Sequence, residues 1–202
     1  MEKRAPDTAM KTVVLVGLMG AGKTCIGRRL AQRLNLPFVD ADREIEIAAG
    51  CSIQTIFELH GEGAFRDGER RVIARLLDEK AHVLATGGGA FMDTRTRELI
   101  RRRAISIWLR ADIEVLARRV ARRSNRPLLQ VEDPRAKLKE LIDLRHPVYG
   151  LADIVVDSEE VPPDVTVDRV LVALADFSDR PEEPSAAEEA GFAAPDARSG
   201  VR

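Results

Sequence analysis

The chain has 202 residues, 45% of them hydrophobic and 32% charged, which suits one globular domain with a substantial core and is short for two. Lys and Arg total 32 against 33 acidic residues, so a net charge of −1 gives no general reason to expect nucleic acid or an anionic membrane as partner. Two cysteines, Cys25 and Cys51, are too few for a disulfide framework or a CxxC metal site, and no apolar run approaches the ~18 residues needed to span a bilayer. A cytoplasmic protein is expected.

In chain order, residues 1–10 are charged and read as a flexible N-terminus. Residues 12–17 (TVVLVG) form a β-branched run ending in glycine, and Ile26, Leu30, Ala31 and Leu34 follow at helical spacing. A short strand is expected over 37–40 (PFVD), a helix from Ala41 to about Ala49, and another helical segment capped by Ser52. A longer helix should run from Glu62 to about Lys80, and a strand over 82–86 leads into Gly87, Gly88 and Gly89. The rhythm continues with helix 94–102, strand 104–109, helix 112–121, an Arg-rich stretch, helix 134–144, strand 152–157 and helix 163–176. Five short β-rich runs alternating with helices predict an α/β fold: a five-stranded parallel sheet between two helical layers, with ligands at the C-terminal strand ends. From Phe177 onward the composition reads as a disordered tail.

Gly17 to Thr24 (GLMGAGKT) matches GxxxxGK[ST] between a strand and a helix. Gly20, Ala21, Gly22, Lys23, Thr24 and Cys25 would present backbone N–H groups to phosphate oxygens at a helix N-terminus, where the helix dipole also favours an anion. Lys23 would reach the β- and γ-phosphates of ATP, and Thr24 would coordinate Mg²⁺. This phosphate loop alone does not separate small-molecule kinases from other nucleotidases. Asp40 and Asp42 straddle the end of the second strand, and residues two apart in an extended chain point the same way. They read either as a metal-holding and proton-accepting pair or as caps of the helix beginning near Ala41. His60, His82 and His146 lack ligand spacing and read as ordinary surface or loop residues.

GLMGAGKT, FVDAD, GEGAFR, TGGGA, RPLL and RHPVY, in this order and approximate spacing, resemble the shikimate kinases over about residues 12–157. The resemblance implies a P-loop kinase domain over 11–176 that phosphorylates the 3-hydroxyl of shikimate with ATP and Mg²⁺. It implies Asp42 as proton acceptor, with Asp40 and Thr24 near the metal. Arg66, Arg145 and Gly87, Gly88 and Gly89 become the shikimate clamp. Taken alone, Arg66 and Arg145 read as surface arginines; yet two guanidinium groups suit one carboxylate, and glycines permit close backbone approach to ring hydroxyls. The stretch from Arg118 to Arg126 has no interleaved aromatic residue to suggest nucleic acid. By resemblance it belongs to a lid over about 118–130, with Arg126 neutralising charge on the transferring group and Arg119 against adenine. One departure is the acidic Asp157-Ser158-Glu159-Glu160 run, where the family often carries a basic residue for adenine.

Overall fold

The computed structural model describes residues 11–121 and 133–179. The expected sheet forms: β1 (Thr12–Val16), β2 (Phe38–Asp40), β3 (Val83–Ala85), β4 (Ala104–Arg110) and β5 (Ile154–Asp157), all parallel, in the order β2-β3-β1-β4-β5. Every residue of β1 is buried, as a central parallel strand covered on both faces requires. Right-handed crossovers decide the layers. The step from β1 out to β2 puts α1 (Lys23–Leu34) on one face, and α7 (Pro163–Ser178) packs beside it. The return steps put α3 (Ile53–Leu77) and α4 (Thr94–Arg103) on the other. α2 (Ala41–Ala49) leans on α3; α5 (Ile113–Ala121) packs on α6 (Pro134–Tyr149). The core is aliphatic, built on Leu15, Leu30, Ile73, Leu84, Ile107, Leu109 and Leu116, each less than 2% exposed.

Five differences from the sequence expectations stand out. The segments on either side of Gly61 run on as one element, α3, bent where Gly61 adopts φ 75, ψ 176, a region essentially reserved for glycine. α3 ends at Leu77, with the Asp78 N–H donating to Arg75 O. α6 continues to Tyr149 instead of stopping near residue 144. Pro147 lies within it and withholds one backbone N–H, but the turn after it is closed by Gly150 N–H donating to His146 O at 2.9 Å. α7 reaches Ser178, two residues past the expected end, with Phe177 packed on the core. His82 is no surface residue: it is 2% exposed, its N–H donates to Thr12 Oγ1, and Nδ1 lies 2.9 Å from Lys80 O. The expected N-terminal and C-terminal extensions fall at 1–10 and, beyond Asp179, at 180–202, outside the described residues. No described helix is long and apolar enough to cross a membrane.

Candidate active site

The site is assembled by strand register. Parallel pairing sets Leu15 of β1 opposite Ala85 of β3, and Ala85 opposite Asp40 of β2. Two residues beyond each of these aligned positions stand Gly17, Gly87 and Asp42, so the phosphate loop, the glycine turn and the acidic segment leave the sheet at one level. Thr86 fastens β3 to β1 there, its N–H and its hydroxyl both donating to Leu15 O, at 3.2 and 3.0 Å.

The phosphate loop has its expected form. Gly20 and Gly22 take φ 84 and 97, left-handed values that turn the backbone into the helix, and α1 starts at Lys23 with no side-chain cap. The first N–H groups of α1 are therefore left to face a ligand. Lys23 Nζ donates to Gly17 O at 2.7 Å and Leu18 O at 3.0 Å, which lays it along the loop. Thr24 Oγ1 donates to Asp40 Oδ2 at 3.1 Å, so the two hard oxygen donors expected near a metal are already neighbours.

Asp40 and Asp42 do not project as an extended pair. Asp40 is the N-cap of α2, with Oδ1 accepting from the Asp42 N–H at 3.2 Å, and Asp42 lies in the first helical turn. Capping and function are compatible here: one Asp40 oxygen caps the helix while the other meets Thr24, and the turn of α2 carries the Asp42 carboxylate to the glycine turn. A Cβ built on Gly87 would lie 2.8 Å from Asp42 Oδ1 and 3.0 Å from Glu69 Oε1.

The three glycines face different charges. Gly87 faces these two carboxylates. A Cβ on Gly88 would stand 3.4 Å from Arg145 Nη1, 3.6 Å from Gly17 O and 3.7 Å from Met19 N, and one on Gly89 would stand 2.5 Å from both terminal nitrogens of Arg66. The backbone of residues 87–89 is thus the surface where both carboxylates, both guanidinium groups and the phosphate loop converge. Arg66 is held by Glu69 at 2.6 Å, by Glu62 at 3.2 Å and over the Phe65 ring, with its carbon 5.0 Å from the centroid. Burial opposes its charge, but the two glutamates outweigh that and raise its pKa. Arg145 donates to Gly88 O at 3.0 Å, and Tyr149 donates to the same oxygen. Neither arginine is a free surface side chain.

Arg119, expected beside a base, ties the nucleotide side together. Its Nη1 donates to Ser158 Oγ at 2.9 Å and to the Gly20 and Ala21 carbonyls at 3.4 and 3.5 Å, while Nη2 donates to Glu159 O. Burial lowers its pKa, against the opposing pull of Glu160 and Cys25. The acidic run after β5 is largely neutralised: Glu160 pairs with Arg118 at 2.7 Å, Glu159 with Arg169 at 2.9 Å, and Asp157 with Arg110 at 2.6 Å. Arg126 and most of the expected lid lie outside the described residues.

Three residues at the site escaped the sequence reading. Glu69 is 2% exposed, and its Oε1 has no hydrogen-bond partner among the described residues. Burial pushes its carboxyl pKa up, opposed by Arg66 and reinforced by Asp42 and Asp93. Its i,i+3 spacing from Arg66 on α3 was the available signal. Ser158, 2% exposed, donates to Ala21 O at 2.9 Å, and Tyr149 is 1% exposed inside the RHPVY segment. Neither had a local signal beyond its motif. Both cysteines are free thiols, and no cluster of His, Cys, Asp and Glu among the described residues has the makings of a metal site by itself.

Comparison with known proteins identifies the family. The family model for shikimate kinase matches residues 19–175. A shikimate kinase of Caulobacter vibrioides is 59% identical over 164 residues, covering 81% of this chain and 82% of that protein. One of Bradyrhizobium diazoefficiens is 58% identical, covering 81% and 79%. The solved shikimate kinase of Acinetobacter baumannii in complex with shikimate superposes with a TM-score of 0.80 at 39% identity, covering 85% of this chain and 96% of that one. The chain belongs to the shikimate kinase family.

Proposed function

We propose that this protein moves the γ-phosphoryl group of ATP onto the 3-hydroxyl of shikimate, giving shikimate 3-phosphate and ADP, a step of chorismate and aromatic amino acid biosynthesis. The observation that carries the reading is the charge division across residues 87–89, with the Asp42 carboxylate at one end and Arg66 and Arg145 at the other, beside the phosphate loop. An acceptor with a hydroxyl at one end and a carboxylate at the other fits that division. Membership of the family supports the same choice of substrate.

In this reading Arg66 and Arg145 grip the acceptor carboxylate by charge-assisted N–H donors, and the glycine backbone lets the ring approach without a Cβ in its way. Asp42 orients the 3-hydroxyl and accepts its proton as the new P–O bond forms and the bond to the ADP oxygen breaks. Lys23 and the N–H groups of the loop offset charge on the phosphates; Arg126 joins them on the strength of its RPLL motif alone. Arg119 and Ser158 brace the loop carbonyls that the nucleotide side rests on, and Arg119 offers a planar face to adenine. Thr24 and Asp40, hard oxygen donors in mutual contact, would hold Mg²⁺, which when bound neutralises phosphate charge.

The free thiols and a nucleotide substrate fit the cytoplasm, the near-zero net charge fits small-molecule partners and no nucleic acid, and a monomer is what the family resemblance implies. The deciding experiment measures ADP release with MgATP in the presence and absence of shikimate, with gluconate as control. Release that depends on shikimate and not on gluconate is expected, and Asp42→Asn should lose most turnover while still binding ATP. Equal release with gluconate, or near-normal turnover in the variant, would overturn the assignment.

A further inference from the structure

Three consecutive glycines form the least self-restrained backbone a chain can present, because no Cβ limits the rotation of the peptide planes between them. A surface that must hold a substrate to within a fraction of an ångström therefore needs an outside restraint. One carbonyl of the turn has two: Gly88 O accepts from Arg145 Nη1 at 3.0 Å and from the Tyr149 hydroxyl. Residues 145 and 149 are four apart on α6, so one helix face supplies both donors to the oxygen's two lone pairs.

The peptide bond joining Gly88 to Gly89 is planar and trans, so its C=O and N–H point in opposite directions. Pinning Gly88 O to α6 aims the Gly89 N–H away from α6. It also limits where the Arg145 guanidinium can rest, since both donors share one acceptor.

Tyr149 suits this task and little else. Its ring is wedged among Phe91, Trp108 and His146, with centroids 6.5, 5.9 and 6.5 Å away, which leaves the hydroxyl no freedom to swing. Burial raises its pKa, and the charges it feels are Arg145 and Arg66, which lower it, and Glu69, which raises it. These are the charged groups of the acceptor site. A hydroxyl placed only to fill a core would not stand among them.

We propose that Tyr149 is a positioning residue for the acceptor: its hydroxyl fixes the Gly88–Gly89 peptide plane and, through the shared carbonyl, the resting place of Arg145. The proposal rests on the acceptor-site reading above. Tyr149→Phe removes the hydroxyl and keeps the ring. The full-length variant should show a KM for shikimate raised about tenfold, the size of one buried hydrogen bond to a group that also holds a charge, with the KM for ATP within about twofold of the parent. Thermal melting is followed in parallel, and the kinetics are run well below the midpoint. No change in the KM for shikimate, an equal rise in both KM values, or loss of the folded state would assign the hydroxyl to general structure and overturn the proposal. Arg145→Lys, assayed beside it, separates the two layers. If Arg145→Lys raises the KM for shikimate and Tyr149→Phe does not, the positioning role alone fails. If Arg145→Lys has no effect, the acceptor site itself is misassigned and the proposal falls with it.

Discussion

Adding a single methyl group at either end of the glycine turn should damage catalysis in two different ways. At Gly87 a Cβ would stand 2.8 Å from Asp42 Oδ1, short of an ordinary 3.4 Å contact by about 0.6 Å, and 3.0 Å from Glu69 Oε1. Asp42 is anchored by its place in the first turn of α2, and Glu69 by its ion pair with Arg66, so neither yields freely. Misplacing a reacting group by 1 Å costs on the order of a hundredfold, so Gly87→Ala should lower kcat about tenfold to a hundredfold, roughly 1.4–2.7 kcal/mol of transition-state stabilisation. At Gly89 the same methyl would lie 2.5 Å from the two terminal nitrogens of Arg66. A long side chain can swing aside, but doing so takes the guanidinium off the acceptor carboxylate. Gly89→Ala should therefore raise the KM for shikimate about tenfold, with a smaller change in kcat. Initial rates of ADP release across a grid of ATP and shikimate concentrations separate the two parameters, and circular dichroism checks the fold. A folded Gly87→Ala protein with parental kcat, or one whose defect lies in the KM for ATP, would refute the placement of Asp42 against this turn.

Stability tests probe the scaffold beneath the site. Within α3, Gly68 has open space around its Cβ position and no left-handed φ, so Gly68→Ala should stabilise by about 0.5–1 kcal/mol in urea unfolding. Gly61→Ala in the same helix should destabilise by about 1–3 kcal/mol, because its φ of 75 and ψ of 176 suit glycine alone; equal effects at both positions would contradict the bend at residue 61. Asp93 caps α4, accepting from Thr96 N–H at 2.8 Å and Thr96 Oγ1 at 2.9 Å, so Asp93→Ala should cost about 1 kcal/mol. Burial opposes the Asp93 charge, but Thr96 and Arg70 outweigh it and lower its pKa. A depressed carboxyl pKa adds stability that is present above the unfolded-state value and lost as pH falls through the folded-state value. The gap in melting temperature between parent and Asp93→Ala should accordingly be widest at neutral pH and narrow in acid; a gap independent of pH would rule out a charged cap.

What the chain disclosed beforehand was whatever depends on local pattern. The phosphate loop needs glycines at fixed spacing between a strand and a helix, and α2 spans Ala41–Ala49 as expected, with Asp40 capping its start and Gly50, at φ 68, its end. Where tertiary support intervenes the local pattern misleads: the helix expected to stop at residue 144 runs on through Pro147 and brings Tyr149 onto the glycine turn. Glu69, Tyr149 and Ser158 were silent for another reason. Tyr149 lies 61 residues from Gly88 and Ser158 lies 137 from Ala21, and nothing in the identity of a tyrosine or a serine foretells so distant a partner. Arg66 and Arg145 are equally far from announcing a shared substrate; only the order of several motifs made them stand out among 32 basic residues.

Sheet order supplies the step from those scattered residues to a site. Sequence order would place β2 beside β1, but the helical crossover from β1 leaves a gap that β3 fills, giving β2-β3-β1. With the strands in register at Asp40, Ala85 and Leu15, the loop that follows β3 emerges between the acidic segment and the phosphate loop. A segment in that position must touch neighbours on both sides, and residues with a Cβ would collide with them at 2.8 Å on the Asp42 side and 2.5 Å on the Arg66 side. Three glycines satisfy that constraint; the outer two carbonyls, Gly87 O and Gly89 O, accept from the Ala90 and Met92 N–H groups, and α6 reaches across to hold the central one. The glycine run, the two arginines and the buried tyrosine are thus linked consequences of inserting one strand between two others.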